Sequence, residues 1–279
     1  MIIDCYCRIW ESPAQLGSSV SAWLSRCGGQ RDLTTDPAEY AETAKDVSMT
    51  LLWGFRSKLL GAEIPNSFLA DFAAQRPDQL KAIAAVDPMQ EDYRERLENV
   101  AERKEFAGLT ISPAAQGFHP SDSRAQSIYA FCQERKLPLF VDTCSDIAPM
   151  AMAEFARPYL FDEPMREYPD ITVVFASMGW PFVGEMLALL AKQPRAYAEV
   201  SGLIRQPWEL YQALVGAHQA GVAHKLLFGS GFPFTTAATA IERIYRLNET
   251  TSGTHLPNVP RETLRGIIER EALAELGIA

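Results

Sequence analysis

LPLFVDTC, residues Leu137–Cys144, is an apolar run too short for a helix, and it lies between Asp122–Lys136 and Pro149–Tyr168, whose apolar side chains recur at helical spacing. A buried strand framed by helices is the unit of a parallel sheet, because parallel neighbours need a crossover of a dozen or more residues, usually helical. The alternation extends in both directions. Met1–Ile9, Val47–Phe55, Leu80–Asp87 and Phe106–Ser112 read as strands before this run, and Ile171–Met178, Ala196–Ser201 and Lys225–Ser230 read as strands after it. The helical patterns between them are Pro13–Cys27 with Pro37–Lys45, Asn66–Gln75, Gln90–Lys104, Phe182–Lys192, Pro207–Ala220 and Ala237–Asn248. Eight strands, each followed by at least one helix, predict an α/β fold of the TIM (β/α)8 barrel type, as a single domain over residues 1–279. An open doubly wound sheet would carry a Gly-rich phosphate turn after an early strand. Cys27-Gly28-Gly29 falls between helices and lacks that spacing. A C-terminal helix, Pro260–Leu276, is expected to pack outside the barrel, and the long connection over residues 10–46 is placed to cover its mouth.

The composition, 47% hydrophobic and 22% charged, suits a large core. The 26 basic and 35 acidic residues leave a net charge of −9 with no Lys/Arg cluster, which argues against nucleic acid or an anionic membrane as partner. Five cysteines, Cys5, Cys7, Cys27, Cys132 and Cys144, are an odd number in a long chain and predict free thiols in a reducing compartment. The N-terminus has no basic lead, and no apolar stretch approaches the roughly eighteen residues of a membrane span, so a cytoplasmic protein is expected.

Functional side chains of such a barrel come from the C-terminal ends of its strands. Those ends carry Asp4, Tyr6 and Arg8, then Arg56, Asp87, Thr110 and Ser112, Asp142 and Cys144, Ser177, Glu199 and Ser201, and Ser230 or Gly231. Strict alternation places Asp4, Tyr6 and Arg8 on one face of the first strand, and Cys5 and Cys7 on the other, toward the helices. A hydrolytic metal centre needs three or more converging His, Asp, Glu or Cys donors. Of the four histidines, His218 lies in a helix, His224 precedes the last strand, His255 is in a loop, and His119 alone falls on the side of the strand ends. No metal and no cofactor are expected.

Segments spread over the chain carry a family resemblance: IIDCYCRIW (Ile2–Trp10), Gly54–Asn66, Val86–Pro88, GFHPSD (Gly117–Asp122), LPLFVDT, FASMGWPFVGE (Phe175–Glu185), AEVSG (Ala198–Gly202), KLLFGSGFPF (Lys225–Phe234) and IIEREALAELG (Ile267–Gly277). Together they resemble the amidohydrolase superfamily, in its amidohydrolase-related branch of decarboxylases and of lactone and amide hydrolases acting on small carboxylated substrates. The resemblance implies a metal held by an H-x-H on the first strand, a His on the fifth, a His on the sixth and an Asp on the eighth. Here those positions fall on Tyr6 and Arg8, on Asp142, on Ser177 and on Gly231. The implied metal-dependent chemistry is therefore expected to be lost in a pseudoenzyme.

Arg8 brings a fixed positive charge to a position where the resemblance implies a metal ligand, and Asp142 is its natural partner; the alternative is that Arg8 receives an anionic ligand. Tyr6 reads either as a plug or as a proton donor. Arg56 and Asn66 read as a grip for a ligand carboxylate or as structural side chains, and His119 as an acid/base or as a loop residue. The sequence leaves open a small-carboxylate binder, a homo-oligomer, and a regulatory subunit pairing with an active relative. A metal-independent hydrolase or lyase is the alternative, with Arg8 stabilising an anion and Asp142, Tyr6 or His119 moving a proton.

Overall fold

The computed structural model describes residues 1–17, 35, 40–41, 44–143 and 148–278. Its eight barrel strands, numbered β1 to β8, are Ile3–Cys7, Met49–Trp53, Leu80–Ala85, Phe106–Ile111, Leu139–Val141, Val173–Phe175, Ala196–Glu199 and Leu226–Leu227. Each pairs in parallel with the next in chain order. The ring closes between β8 and β1, where the amides of Cys5 and Arg8 donate to the carbonyls of Phe228 and Phe232 at 2.8 and 3.0 Å, and Gly231 donates to Tyr6 at 3.1 Å. This is the TIM barrel the alternating pattern predicts.

The surrounding helices are α1 (Asn66–Ala74), α2 (Tyr93–Glu102), α3 (Pro113–Gln116), α4 (Ser123–Arg135), α5 (Asp162–Glu167), α6 (Val183–Lys192), α7 (Pro207–Gln219), α8 (Ala237–Tyr245), α9 (Arg261–Ile268) and α10 (Ala272–Leu276). Local chemistry fixes several ends. The Asp122 carboxylate caps α4 by accepting from the Arg124 amide, and Thr236 caps α8 through Thr239. The helix expected over Pro149–Tyr168 is instead two 3-10 turns, Ala153–Ala156 and Pro158–Phe161, followed by α5, because Pro158 has no N–H to continue the ladder. After β2 the chain forms a small antiparallel hairpin, Arg56–Ser57 with Ala62–Glu63, that the sequence did not announce. Of the expected helices Pro13–Cys27 and Pro37–Lys45, the turns Pro13–Leu16 and Ala44–Asp46 are present; Cys27, Gly28, Gly29 and Cys144 lie outside the described residues. Cys5, Cys7 and Cys132 are buried free thiols. Among the described residues no helix is long and apolar enough to cross a membrane.

Two apolar clusters divide the core by strand parity. Leu52, Leu109, Val141, Phe175, Ala198 and Phe228 meet helix residues such as Leu69, Leu97, Tyr129 and Leu210 in the outer layer. Ile3, Leu51, Trp53, Ile83, Phe140, Val174 and Leu227 form the cluster that faces the barrel axis. The latter also contains Ala272, Leu276 and Ile278, which corrects the expectation of one external C-terminal helix. The segment breaks after Ile268. Helix α9 packs outside through Leu264, Ile267 and Ile268, and α10 turns under the barrel beside the start of β1. Arg270 fixes the turn by donating to the carbonyls of Leu226 and Ala223.

A second correction concerns β1. Its register runs Ile3 to Met49, Asp4 to Thr50, then Cys7 to Leu52, so one extra residue bulges between Asp4 and Cys7. Strict alternation fails there. Cys5 packs in the axial cluster with Ile3, whereas Cys7 packs in the outer layer.

Candidate functional site at the strand ends

Downstream of its bulge, β1 delivers Arg8 to the end of the barrel where β5 delivers Asp142. The Arg8 Nη2 lies 2.5 Å from Asp142 Oδ2, and the two side chains are only 7% and 5% exposed. The Arg8 guanidinium also lies 4.9 Å above the Phe55 ring and 5.5 Å from the Tyr6 ring. Tyr6 in turn packs on Trp53, with 4.7 Å between ring centroids, and the Trp53 indole donates to the Cys5 carbonyl. Ser112 at the end of β4 donates its hydroxyl to the Asp142 carbonyl, holding the end of β5. Among the described residues, this buried cation is flanked by the Asp142 carboxylate and by the two aromatic faces of Phe55 and Tyr6.

The other side of the ring is built around Glu199, at the end of β7. It is fully buried, and it accepts from the Ser177 amide at 2.6 Å, the Ser201 amide at 2.6 Å and the Ser201 hydroxyl at 3.0 Å. Ser177 has a left-handed backbone, φ 51°, and its hydroxyl accepts from the Gly202 amide at 3.1 Å, so Glu199 ties the β6 turn to the β7 turn. Gly229 makes room for this carboxylate: a Cβ there would lie 2.4 Å from Glu199 Oε2 and 3.0 Å from Tyr6 Cβ. Gly231, with φ +73°, approaches Ser201 from the same segment after β8, a position that suits a glycine better than the aspartate the resemblance implies.

Asp4, at the bulge, is 3% exposed and accepts from the amides of Ser230 at 2.8 Å and Tyr6 at 3.2 Å. Neither Asp4 nor Glu199 forms an ion pair among the described residues. Burial pushes Glu199 from 4.5 up to about 7, against the pull of its three donors and with help from the Asp4 charge. Burial likewise pushes Asp4 from 3.8 up to about 6. Burial and the Asp4 charge also hold Cys5 and Cys7 well above the usual thiol range, so both are inert thiols.

Tyr6, Arg8, Asp142, Ser177 and Gly231 thus lie at one end of the barrel, linked through Glu199, Ser201 and Gly229. The remaining candidates engage other groups. Arg56, buried, holds Glu63 and Asp92 at 3.1 Å each and also Gln90. Asn66 clasps both the amide and the carbonyl of Ala85, fastening α1 to the end of β3. His119 is exposed in its loop, accepts from the Ser121 amide through Nδ1 and meets the edge of Phe155. Among the described residues, no group of three or more His, Cys, Asp or Glu converges as metal donors would. Sequence reasoning placed Glu199 and Asp4 at strand ends but gave them no role. The available signal was two acidic residues within strand runs that are mostly apolar.

The model of the amidohydrolase family matches residues 30–269. A search among curated proteins found no match. Among solved structures, the chain is similar to an uncharacterized TIM-barrel protein of Bordetella bronchiseptica (19% identity, TM-score 0.71, 99% of each chain covered). It is also similar to a probable 2-pyrone-4,6-dicarboxylic acid hydrolase of Acinetobacter baumannii with citric acid bound (16%, 0.68, 99% of each chain). A third is a dihydroxybenzoic acid decarboxylase of Polaromonas with manganese and 2-nitroresorcinol bound (15%, 0.65, covering 99% of this chain and 96% of that one). At these identities the likeness is one of fold.

Proposed function

The chain belongs to the amidohydrolase family, and on that premise we propose that its barrel captures a small carboxylate at Arg8 without a divalent metal and without the metal-dependent hydrolysis or decarboxylation of that family. The observation that carries this reading is the buried Arg8–Asp142 pair. A divalent cation of the kind bound by the Polaromonas decarboxylase does not fit this donor set. Of the five positions where the resemblance implies metal ligands, one now bears a guanidinium, which repels a cation and has no lone pair to give. Only Asp142 offers a carboxylate, and it is engaged by that guanidinium. Ser177 is engaged with Gly202, and Gly231 has no side chain.

Arg8 suits an anion for the same reasons. Its planar fork carries five N–H donors, its charge persists at every physiological pH, and its aromatic neighbours exclude water that would weaken a charge-assisted bond. A ligand carboxylate competes with Asp142 for the guanidinium. Arg56 and Asn66, committed to Glu63, Asp92 and Ala85, are left as supports of the β2 and β3 ends.

Titration calorimetry with benzoate and with 2,6-dihydroxybenzoate tests this reading. Binding is expected in the wild type, loss of at least about tenfold in Arg8→Met, and tighter binding in Asp142→Asn, where the competing charge is removed. Equal affinity in Arg8→Met would overturn it, as would metal-stimulated turnover of either compound.

A further inference from the structure

Asp4 and Glu199 stand on the two strands that flank β8, both sealed from water, both held by neutral N–H and O–H donors, and neither paired with a cation among the described residues. Tyr6 stands near both Glu199 and Arg8. The Glu199 carboxylate and Tyr6 Cβ both border the space left by Gly229, and the Tyr6 ring is 5.5 Å from the Arg8 guanidinium. We propose that Glu199, backed by Asp4, is the proton-binding partner of the Arg8 site, so that an anion captured at Arg8 brings one proton with it onto the Glu199 carboxylate. This rests on the reading of Arg8 as an anion site.

Charge within the barrel supplies the reason. Arg8 and Asp142 offset each other, so among the described residues ionised Glu199 and Asp4 would add two buried negative charges with no paired cation, and an incoming carboxylate would add a third in a medium that screens poorly. A proton taken from the buffer by Glu199 removes one of them, and binding and protonation therefore favour each other. The groups facing Glu199 leave it as the carrier. From β1 come Asp4, Cys5 and Tyr6; from the β6 turn, Ser177; from its own strand end, Ser201; and from the segment after β8, Gly229 and Ser230. Asp142 is fixed by Arg8, and Arg270 acts from beneath the barrel on Cys5. The burial that raises Glu199 to about 7 places its titration where a small further push is felt at neutral pH.

The experiment is calorimetry of benzoate binding at pH 7.5 in buffers of different ionisation enthalpy, together with affinity measured from pH 6 to 9. The wild type is expected to take up at most about three-quarters of a proton, because about a quarter of Glu199 is already protonated half a pH unit above its value of about 7, with affinity falling by up to about tenfold per pH unit well above neutrality. Glu199→Gln is expected to bind benzoate with no buffer dependence and a flat pH profile. Heats independent of buffer in the wild type overturn the proposal without any variant, and a proton uptake that survives in Glu199→Gln assigns it elsewhere and overturns it too. Absence of benzoate binding at every pH instead overturns the Arg8 anion site on which the coupling rests.

Discussion

Asp142→Ala strands a guanidinium in the barrel, and its effect can be worked from the geometry. The pair is 2.5 Å apart, and its side chains are 7% and 5% exposed, so solvent cannot replace the lost partner. Breaking a buried pair of this kind costs about 3–5 kcal/mol, most of it the desolvation of the surviving charge. Replacing both partners with apolar groups of similar volume is commonly neutral or stabilising by about 1–4 kcal/mol. Arg8→Met with Asp142→Leu places thioether and isobutyl groups beside Phe55 and Tyr6, which already line the site. Urea unfolding at pH 7, followed by far-UV circular dichroism, should show Asp142→Ala and Asp142→Leu each less stable by about 3–5 kcal/mol, Arg8→Met less stable by a comparable amount, and the Arg8→Met/Asp142→Leu double variant close to wild type. The coupling energy should therefore exceed about 3 kcal/mol. Single variants that each cost under about 1 kcal/mol and add within about 0.5 kcal/mol would refute the claim that a desolvated ion pair joins β1 to β5.

Stability should also depend on pH through Glu199, whose folded-state value of about 7 lies above its ordinary 4.5. The folded chain then binds more protons than the unfolded one, so this contribution is complete below about pH 4.5 and lost as pH rises through 7. The wild type should lose about 3 kcal/mol relative to Glu199→Gln between pH 4 and 8; parallel stability curves for the two proteins would contradict the assignment. Gly229→Ala drives a methyl to 2.4 Å from Glu199 Oε2 and should cost about 1–3 kcal/mol, measurable by the same unfolding assay, with a cost below about 0.5 kcal/mol showing that the carboxylate does not occupy that space. Leu276→Ala should destabilise by about 2–5 kcal/mol, since α10 seals the axial cluster, and an unchanged urea midpoint would place α10 off the barrel.

The barrel was legible because each strand is buried on both faces and so reads as a nearly continuous apolar run, as LPLFV does before Asp142. The pairing of Arg8 with Asp142 was legible for a related reason. Two opposite charges at the ends of different strands of one barrel have few other places to go. What escaped the sequence was geometry that depends on neighbours. The bulge between Asp4 and Cys7 leaves no mark in the residues themselves, and it moved Cys5 to the axial side. The amphipathic pattern of Pro260–Leu276 runs through the break after Ile268, and only the open underside of the barrel turns α10 inward. Arg56 reads from sequence as a ligand grip or a structural side chain alike, and no spacing announces its ion pairs with Glu63 and Asp92. Glu199 went unweighted because a lone Glu at a strand end is ordinary; its three donors and the missing side chain at Gly229 are what distinguish it.

Metal content separates a vacated site from a working one. The protein, expressed with zinc, manganese and iron supplied and then dialysed, is measured by elemental mass spectrometry beside a relative with an intact ligand set. Less than about a tenth of an equivalent of any of these metals is expected, because a competent site fills and retains its metal under such conditions. Close to one equivalent retained through dialysis, and released by Asp142→Ala, would contradict that expectation and return this barrel to metal chemistry.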